Sequence, residues 1–597
     1  MTRLTLAVTA IVALASPANA DSLIIDPGIG TQVPKQGINT HVQSIGYSQP
    51  EPPPAAEMAL LGGLPPLLAS RVTVSGVAWS GYPLVYRDAT GAVRIPTALD
   101  DTLQVPFTYT VDGTLIWPAD DPEAGRCLVI NAHGGPTAMR TAALNEKPRP
   151  GTNPPQPTST VSRDAGMLRN GEAAVAARAA LLNRCAFFTA NRFLRRDGSP
   201  IGRFVDKNGK TLVAIDEGML AAVIASVGYA PWGLAVGDPV PLSLDMRAPV
   251  WRDIARSAKL LHATIFGPTL RATIGYGHSA GGWLWTRMIS GLDESLALPT
   301  GGNHTIAYHP ATGLIIDYLI TRGVTDFIGR VHPDPRFAFA VRGLTLDYGT
   351  ADAEDHPSTR VRYGEHWPYL AELAASGVDI ADVCRVYEHR GLAHSWGSDE
   401  RFAAPTLSQA GPYAPFLTAW IGNAKRRLLE GVPEPESRFG GFLDAEGRLR
   451  FVQEGGTTNV IGFLDDPSLD TRGTFSLAPF GFGVTSDLVE SRRGGALAEA
   501  WPTVDALMPH GPPLRPPVLQ HRLGGYHVKS FFATLVPFPV AERAARWPTF
   551  AQWSAAVSAS IAELEAGGYY DTRAESAAQT AARFKALFSY DPAAAAP

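Results

Sequence analysis

The chain has 597 residues, 45% of them hydrophobic and 18% charged, enough to build a sizeable core in one large domain or several smaller ones. Its net charge of −5 offers no electrostatic case for nucleic acid or an anionic membrane surface as partner. Frequent Arg, Ala and Pro fit a GC-rich bacterial coding bias, which bears on source and not on fold.

The first twenty residues read as a cleavable export signal. Arg3 supplies the positive charge, Leu4 to Leu14 the apolar stretch, and Ala18-Asn19-Ala20 a small-x-small cleavage site. The apolar run is too short to span a bilayer comfortably, so no integral membrane anchor is expected. The expected product is secreted or periplasmic. Three cysteines follow, Cys127, Cys185 and Cys384. An oxidising compartment permits one disulfide, with Cys127 and Cys185 the favoured pair because each opens an expected strand; three free thiols is the alternative. No Cys/His spacing resembles a metal site, and no cofactor is implied.

From Asp21 to about Ser70 the chain is rich in Pro, Gly and Gln, and Pro52-Pro53-Pro54 suggests an extended linker. Partial alternation between Arg71 and Trp117, through Val72, Val74, Phe107, Tyr109 and Val111, suggests antiparallel strands and a β-rich N-terminal extension over 21–105. An α/β rhythm then begins. Strands are expected over Arg126–Asn131, Cys185–Asn191 and Arg271–Gly275, and helices over Ala173–Leu182 and Asp253–Ile265. The Pro-rich stretch 147–160 reads as a surface loop. Residues 201–250 are too long for a connector and contain helix-prone Met219 to Ala225; they read as an insertion, either a lid or a structural excursion. A boundary is expected near 430. Beyond it lie β-like segments from Leu443 to Thr485 and amphipathic helices over Thr549–Glu565 and Arg573–Phe588, a mixed C-terminal region.

The chemistry concentrates at Gly277-His278-Ser279-Ala280-Gly281. A serine between an apolar strand and a helix, with glycines two residues to either side, has the form of a nucleophile elbow: the glycines let strand and helix approach, and the strained turn exposes the hydroxyl. Such a hydroxyl needs an imidazole to take its proton, a carboxylate to orient the imidazole, and N–H donors for the developing oxyanion. The order Ser, acid, His points to Asp352, after the strand Val341–Tyr348, and His394, after the strand Val383–Glu388. Asp347, Glu354 and Asp355 compete with Asp352, and His389 with His394. Upstream, the strand Cys127–Ile130 runs into Asn131-Ala132-His133-Gly134-Gly135-Pro136; Gly134 or Gly135 would give one oxyanion donor and Ala280 the other, whereas Pro136 has no N–H to give. Trp283 and Trp285 could line an acyl pocket or belong to the core.

Taken together, His133-Gly134-Gly135, Gly277-His278-Ser279-Ala280-Gly281, Gly349-Thr350-Ala351-Asp352 and His394 resemble the α/β-hydrolase superfamily in its esterase and lipase-like branch, over roughly residues 110 to 430. That resemblance implies an α/β fold: a doubly wound, mostly parallel sheet with a lid-like insertion and N- and C-terminal extensions. The implied catalytic domain is 106–430, with Ser279 as nucleophile, His394 as general base and then acid, and Asp352 as the orienting carboxylate. A small-molecule or polymeric carboxylic ester is the implied substrate. A serine peptidase on the same fold, and a non-catalytic binding protein that keeps the fold, are the alternatives.

Overall fold

The computed structural model describes residues 22–33, 38–62, 64–80, 85–88, 90–95, 105–132, 171–190, 215–227, 236, 247–278, 281–282, 284–285, 308–309, 313–322, 342–349, 384–390, 413–436, 441–443, 449–451, 480–481, 484–486, 524–527, 534–537, 541, 544 and 548–589. A 12-stranded sheet organises them. In chain order its strands are β1 (Ser22–Ile25), β2 (Gly30–Val33), β3 (Ile38–Tyr47), β4 (Leu67–Ser80), β5 (Val105–Pro118), β6 (Cys127–Ala132), β7 (Ala186–Ala190), β8 (Ala272–His278), β9 (Tyr318–Arg322), β10 (Gly343–Gly349), β11 (Cys384–Arg390) and β12 (Phe480–Gly481). Spatially they run β1-β3-β4-β5-β7-β6-β8-β9-β10-β11-β12, with β2 also paired to β3. From β7 to β12 every pairing is parallel, and from β1 to β7 every pairing is antiparallel. The fold is therefore mixed α/β around a large sheet whose central part is parallel, compatible with the α/β-hydrolase arrangement.

The central strands are buried along their whole length because helices cover both faces. Every residue of β6, β7, β8 and β9 is buried. Helix α2 (Gly171–Leu182) offers a nearly all-Ala face, so it packs closely on the sheet beside α5 (Tyr413–Glu430). Trp553, Val557, Ile561 and Leu564 of α6 (Phe550–Ala566) join the same core as Phe416 and Trp420 of α5. The start of α6 is set by a capping box, in which Thr549 and Gln552 each bond the other's backbone N–H. Helix α7 (Ala577–Ser589) adds Ala581 to that core.

Across the other face runs α4 (Arg247–Phe266). It starts six residues earlier than the expected Asp253, because Pro249 falls in the first turn, where no intrahelical N–H is needed. The Thr40 hydroxyl donates to the buried Asp253 carboxylate, and Arg252 donates to the Gly30 carbonyl at 2.6 Å, which ties α4 to β2 and β3. At the other end of α4 the buried His262 ring packs on Phe266, with Nε2 3.3 Å from the Ala124 carbonyl.

Burial lowers the His262 pKa from 6.5 to about 4, so the imidazole is neutral in the folded protein. Since the folded value lies below the unfolded one, its contribution is fully present above pH 6.5 and is lost as the pH falls from 6.5 towards 4. The slope is about 1.4 kcal/mol per pH unit, and about 3 kcal/mol across the window. His262→Gln keeps an N–H for Ala124 and cannot titrate. Urea unfolding at several pH values should show the wild type losing stability relative to this variant below pH 6.5; parallel profiles would refute the assignment.

Two features depart from the expected organisation. Three strands of the main sheet, β1 to β3, precede Arg71, where no individual strand was expected, and β3 buries Val42 and Ile45. Strand β9 lies between β8 and β10, where no strand was expected. The favoured disulfide is present, joining Cys127 and Cys185 with a Cα–Cα distance of 4.7 Å at the amino ends of β6 and β7. Cys384, at the start of β11, is a free buried thiol whose pKa burial pushes up to about 12.

Candidate active site

In a parallel sheet all strands end on one edge, and the loops that leave this carboxyl edge carry the chemistry. The register places those ends side by side. Ala132 of β6 is opposite Gly277 of β8, His278 is opposite Arg322 of β9, Arg322 is opposite Asp347 of β10, and Gly349 is opposite His389 of β11. The ends of β6 and β8, which the chain continues into His133-Gly134-Gly135 and into Ser279, are therefore neighbours. The segment with Asp352 leaves β10, and the one with His394 leaves β11. Ser279, Ala280, Gly134, Gly135, Asp352 and His394 themselves lie outside the described residues, as do Glu354, Asp355 and Trp283.

The backbone on either side of Ser279 is described, and it is tight. Gly281, Gly282, Leu284 and Trp285 are already helical, three to seven residues after the strand ends at His278. A Cβ added to Gly277 would stand 2.5 Å from the carbonyl carbon of Gly281 and 2.5 Å from the Gly282 nitrogen. Real Cβ atoms do not approach backbone this closely, so strand and helix meet at a distance only glycine permits. This is the physical reason for a glycine two residues before the serine.

Trp285 belongs to the core. It is fully buried, donates its indole N–H to the Tyr276 carbonyl at 2.8 Å, and meets Trp251 edge-on at 5.8 Å. Room for it comes from Gly275, where a Cβ would lie 3.2 Å from the Trp285 ring and 2.7 Å from Ile316.

Of the rival carboxylates, Asp347 has a structural assignment. It is fully buried; its carboxylate accepts the Trp420 indole N–H at 3.1 Å and lies 3.6 Å from the Arg322 guanidinium, which is also fully buried. Arg322 in turn sits 4.2 Å over the Tyr413 ring. Burial, with the nearby Asp347 charge adding to it, raises the Tyr413 pKa and keeps the phenol neutral. This group joins β9, β10 and α5 near the carboxyl end of β10. Sequence reading did not find it, because nothing local in a Tyr-Leu-Ile-Thr-Arg stretch says that its arginine will be buried against an aspartate. Trp420 also stacks on Tyr387 of β11 at 4.0 Å, and the Tyr387 hydroxyl donates to the Pro435 carbonyl at 2.8 Å, so β11 is fixed as well. His389 lies on β11 itself, in the last two residues of the strand, whereas His394 lies beyond its end.

Among the described residues no His, Cys, Asp and Glu cluster could hold a metal ion, and no helix is long and apolar enough to cross a membrane. No family model matches the chain, and no curated protein does. Among solved structures, loose overlaps include two esterases and a siderophore hydrolase. A glucuronoyl esterase from Teredinibacter turnerae overlaps with a TM-score of 0.29 at 10% identity, covering 67% of this chain and 81% of that one. A propionate-bound esterase from Thermogutta terrifontis gives 0.23 at 13%, covering 49% and 84%. The siderophore hydrolase EstA from Aspergillus nidulans gives 0.23 at 10%, covering 48% and 84%. Overlaps this loose identify neither a family nor a substrate; strand order, register and the Gly277 contact stand without them.

Proposed function

We propose that the chain is an exported serine hydrolase that cleaves carboxylic esters through an acyl-enzyme. In this reading the Ser279 hydroxyl attacks the ester carbonyl while His394 takes its proton. Asp352 orients the imidazole and stabilises its cationic form. The oxyanion is held by the Ala280 N–H and by that of Gly134 or Gly135. His394 then returns the proton to the departing alkoxide, which leaves as the alcohol. Water, deprotonated by the same imidazole, attacks the acyl-serine, and the acid departs as Ser279 regains its proton.

The observation that carries this reading is the closeness of Gly277 to Gly281 and Gly282, the strand-to-helix contact that an exposed, strained serine turn requires. The shared carboxyl edge of β6, β8, β10 and β11 supports it, since all the proposed groups follow strand ends on that edge. The assignment of Asp347 to the core supports Asp352 as the orienting acid. Export rests on the signal-like residues 1–20, and the Cys127–Cys185 disulfide suits an oxidising destination. We assign the catalytic part to 106–430, the flanking extensions to 21–105 and 431–597, and the 201–250 insertion to a lid-like role.

The test is labelling of the purified protein with a fluorophosphonate, beside hydrolysis of a short-chain aryl ester and of a peptide amide. Labelling that maps to Ser279, with ester turnover well above amide turnover, is the expected result. A protein that takes no label and cleaves neither substrate is not a serine hydrolase, and faster amide than ester turnover would make it a peptidase.

A further inference from the structure

Strands β4 and β5 do not stop where the parallel strands stop. Gly113 of β5 is opposite Ala190, the last residue of β7, yet pairing between β4 and β5 continues to Ser80 and Val105. Residues 73–80 and 105–112 thus project past the carboxyl edge. Eight paired positions at strand rise amount to roughly 25 Å. Beyond the end of this long hairpin is a second, small one, Tyr86–Arg87 with Val93–Arg94.

That small hairpin is not free-standing. Asp88 organises its turn by accepting the N–H groups of Thr90 at 2.9 Å and Ala92 at 3.1 Å and the Arg94 Nε at 2.8 Å. Its apolar side packs on α3 (Glu217–Val227), which lies within the 201–250 insertion. Val85, Ile215 and Met219 form a satellite core separate from the main one, covered by Val93, Ile95 and Leu220. One carboxylate joins the two pieces. Asp216 caps α3 by accepting the Met219 N–H at 2.9 Å, and it accepts the Arg87 Nε at 2.7 Å from 129 residues away. Arg87 also reaches the Gly91 carbonyl at 2.5 Å. An 11-residue helix and a hairpin with two-residue strands are each too short to order themselves in water, so each depends on the other.

We propose that hairpin 85–95 and helix α3 form a single composite cap over the carboxyl edge, and that this cap limits the size of the ester that reaches Ser279. The proposal rests on the esterase reading above. Both pieces belong to segments that start from that edge: the hairpin at the tip of β4 and β5, and α3 in the crossover that leaves the end of β7. The wall raised by β4 and β5 holds the hairpin clear of the sheet, and the satellite core holds α3 to the hairpin. Esters small enough to pass beside the cap are unaffected by it, and bulky ones are excluded.

Two variants test this, Met219→Ala in the satellite core and Arg87→Met at the ion pair. Each is assayed with a p-nitrophenyl acetate and a p-nitrophenyl decanoate, beside fluorophosphonate labelling and limited trypsin digestion. Loosening the cap should raise kcat/KM for the decanoate relative to the acetate by about tenfold, the usual size of a steric discrimination, while the acetate value moves less than twofold. Trypsin should cut after Arg87 or Arg94 faster in Met219→Ala, although that residue is on the helix and the cut is in the hairpin. An unchanged substrate ratio, a proportional fall for both esters, or unchanged cleavage of the hairpin would overturn the cap. These outcomes count against the cap alone when the wild type is labelled at Ser279. A wild type that takes no label overturns the esterase reading, and the cap proposal with it.

Discussion

Ser279→Ala should lower kcat for a short aryl ester by about 10⁵-fold, the usual cost of removing the nucleophile from a serine triad, and should abolish fluorophosphonate labelling. Gly277→Ala is the sharper test, because it removes none of the proposed reacting groups. Its new methyl would have to occupy space 2.5 Å from backbone atoms of both Gly281 and Gly282. No flexible side chain can yield there, so the helix must move away from the strand and the turn between them must open. A displacement of about 1 Å in a reacting group costs on the order of 10²-fold, and both labelling and turnover should fall by at least that much. The sheet itself should persist, since the clash is at the end of β8 and not along it; far-UV circular dichroism close to wild type would show this. Full activity in Gly277→Ala would mean that the serine turn does not need the contact, and the elbow would have to be abandoned.

The sequence patterns that proved easiest to read are those in which one short segment carries its own constraint. The strand that leads to Ser279 is one, the strand that ends at Ala132 another, and the helix expected from Thr549 a third. The β4–β5 alternation also survives translation into structure over 71–78 and 109–112, where buried and less buried residues take turns. Strand β3 was hidden by a register shift between Val42 and Ser44, which breaks the period of two just where it would have been read. Strand β9 was missed for the opposite reason. Both of its faces are buried, so Tyr318-Leu319-Ile320-Thr321-Arg322 shows no alternation and ends in a charge. For the candidate site, the sequence offered residue types in a chain order, and the structure adds the shared edge of the strands that lead to them and the removal of Asp347 from the list of acids. That removal depends on Arg322 and Trp420, partners on other elements that no local pattern announces.

Those partners make Asp347 a position where a single change should cost heavily in stability. The Asp347 carboxylate, Arg322 and Trp420 are all buried, and the guanidinium has an aromatic face on one side and the carboxylate on another. Asp347→Ala would leave the arginine charge in the core beside an unanswered indole N–H. Breaking one side of a buried ion pair typically costs 3–5 kcal/mol, and the lost hydrogen bond places this case at about 5 kcal/mol. Asp347→Asn keeps an acceptor for Trp420 and should cost less, and a double change to Asp347→Leu and Arg322→Met should recover much of the loss by removing both charges together. Urea unfolding of the four proteins reads these differences directly. The same series separates the two aspartates. If Asp347 is only a core partner, Asp347→Asn should retain kcat within about tenfold at temperatures where it is folded, whereas Asp352→Asn should fall by about 10⁴-fold, as expected when the acid of a triad is neutralised. A folded Asp347→Asn protein with the larger loss would return Asp347 to the triad.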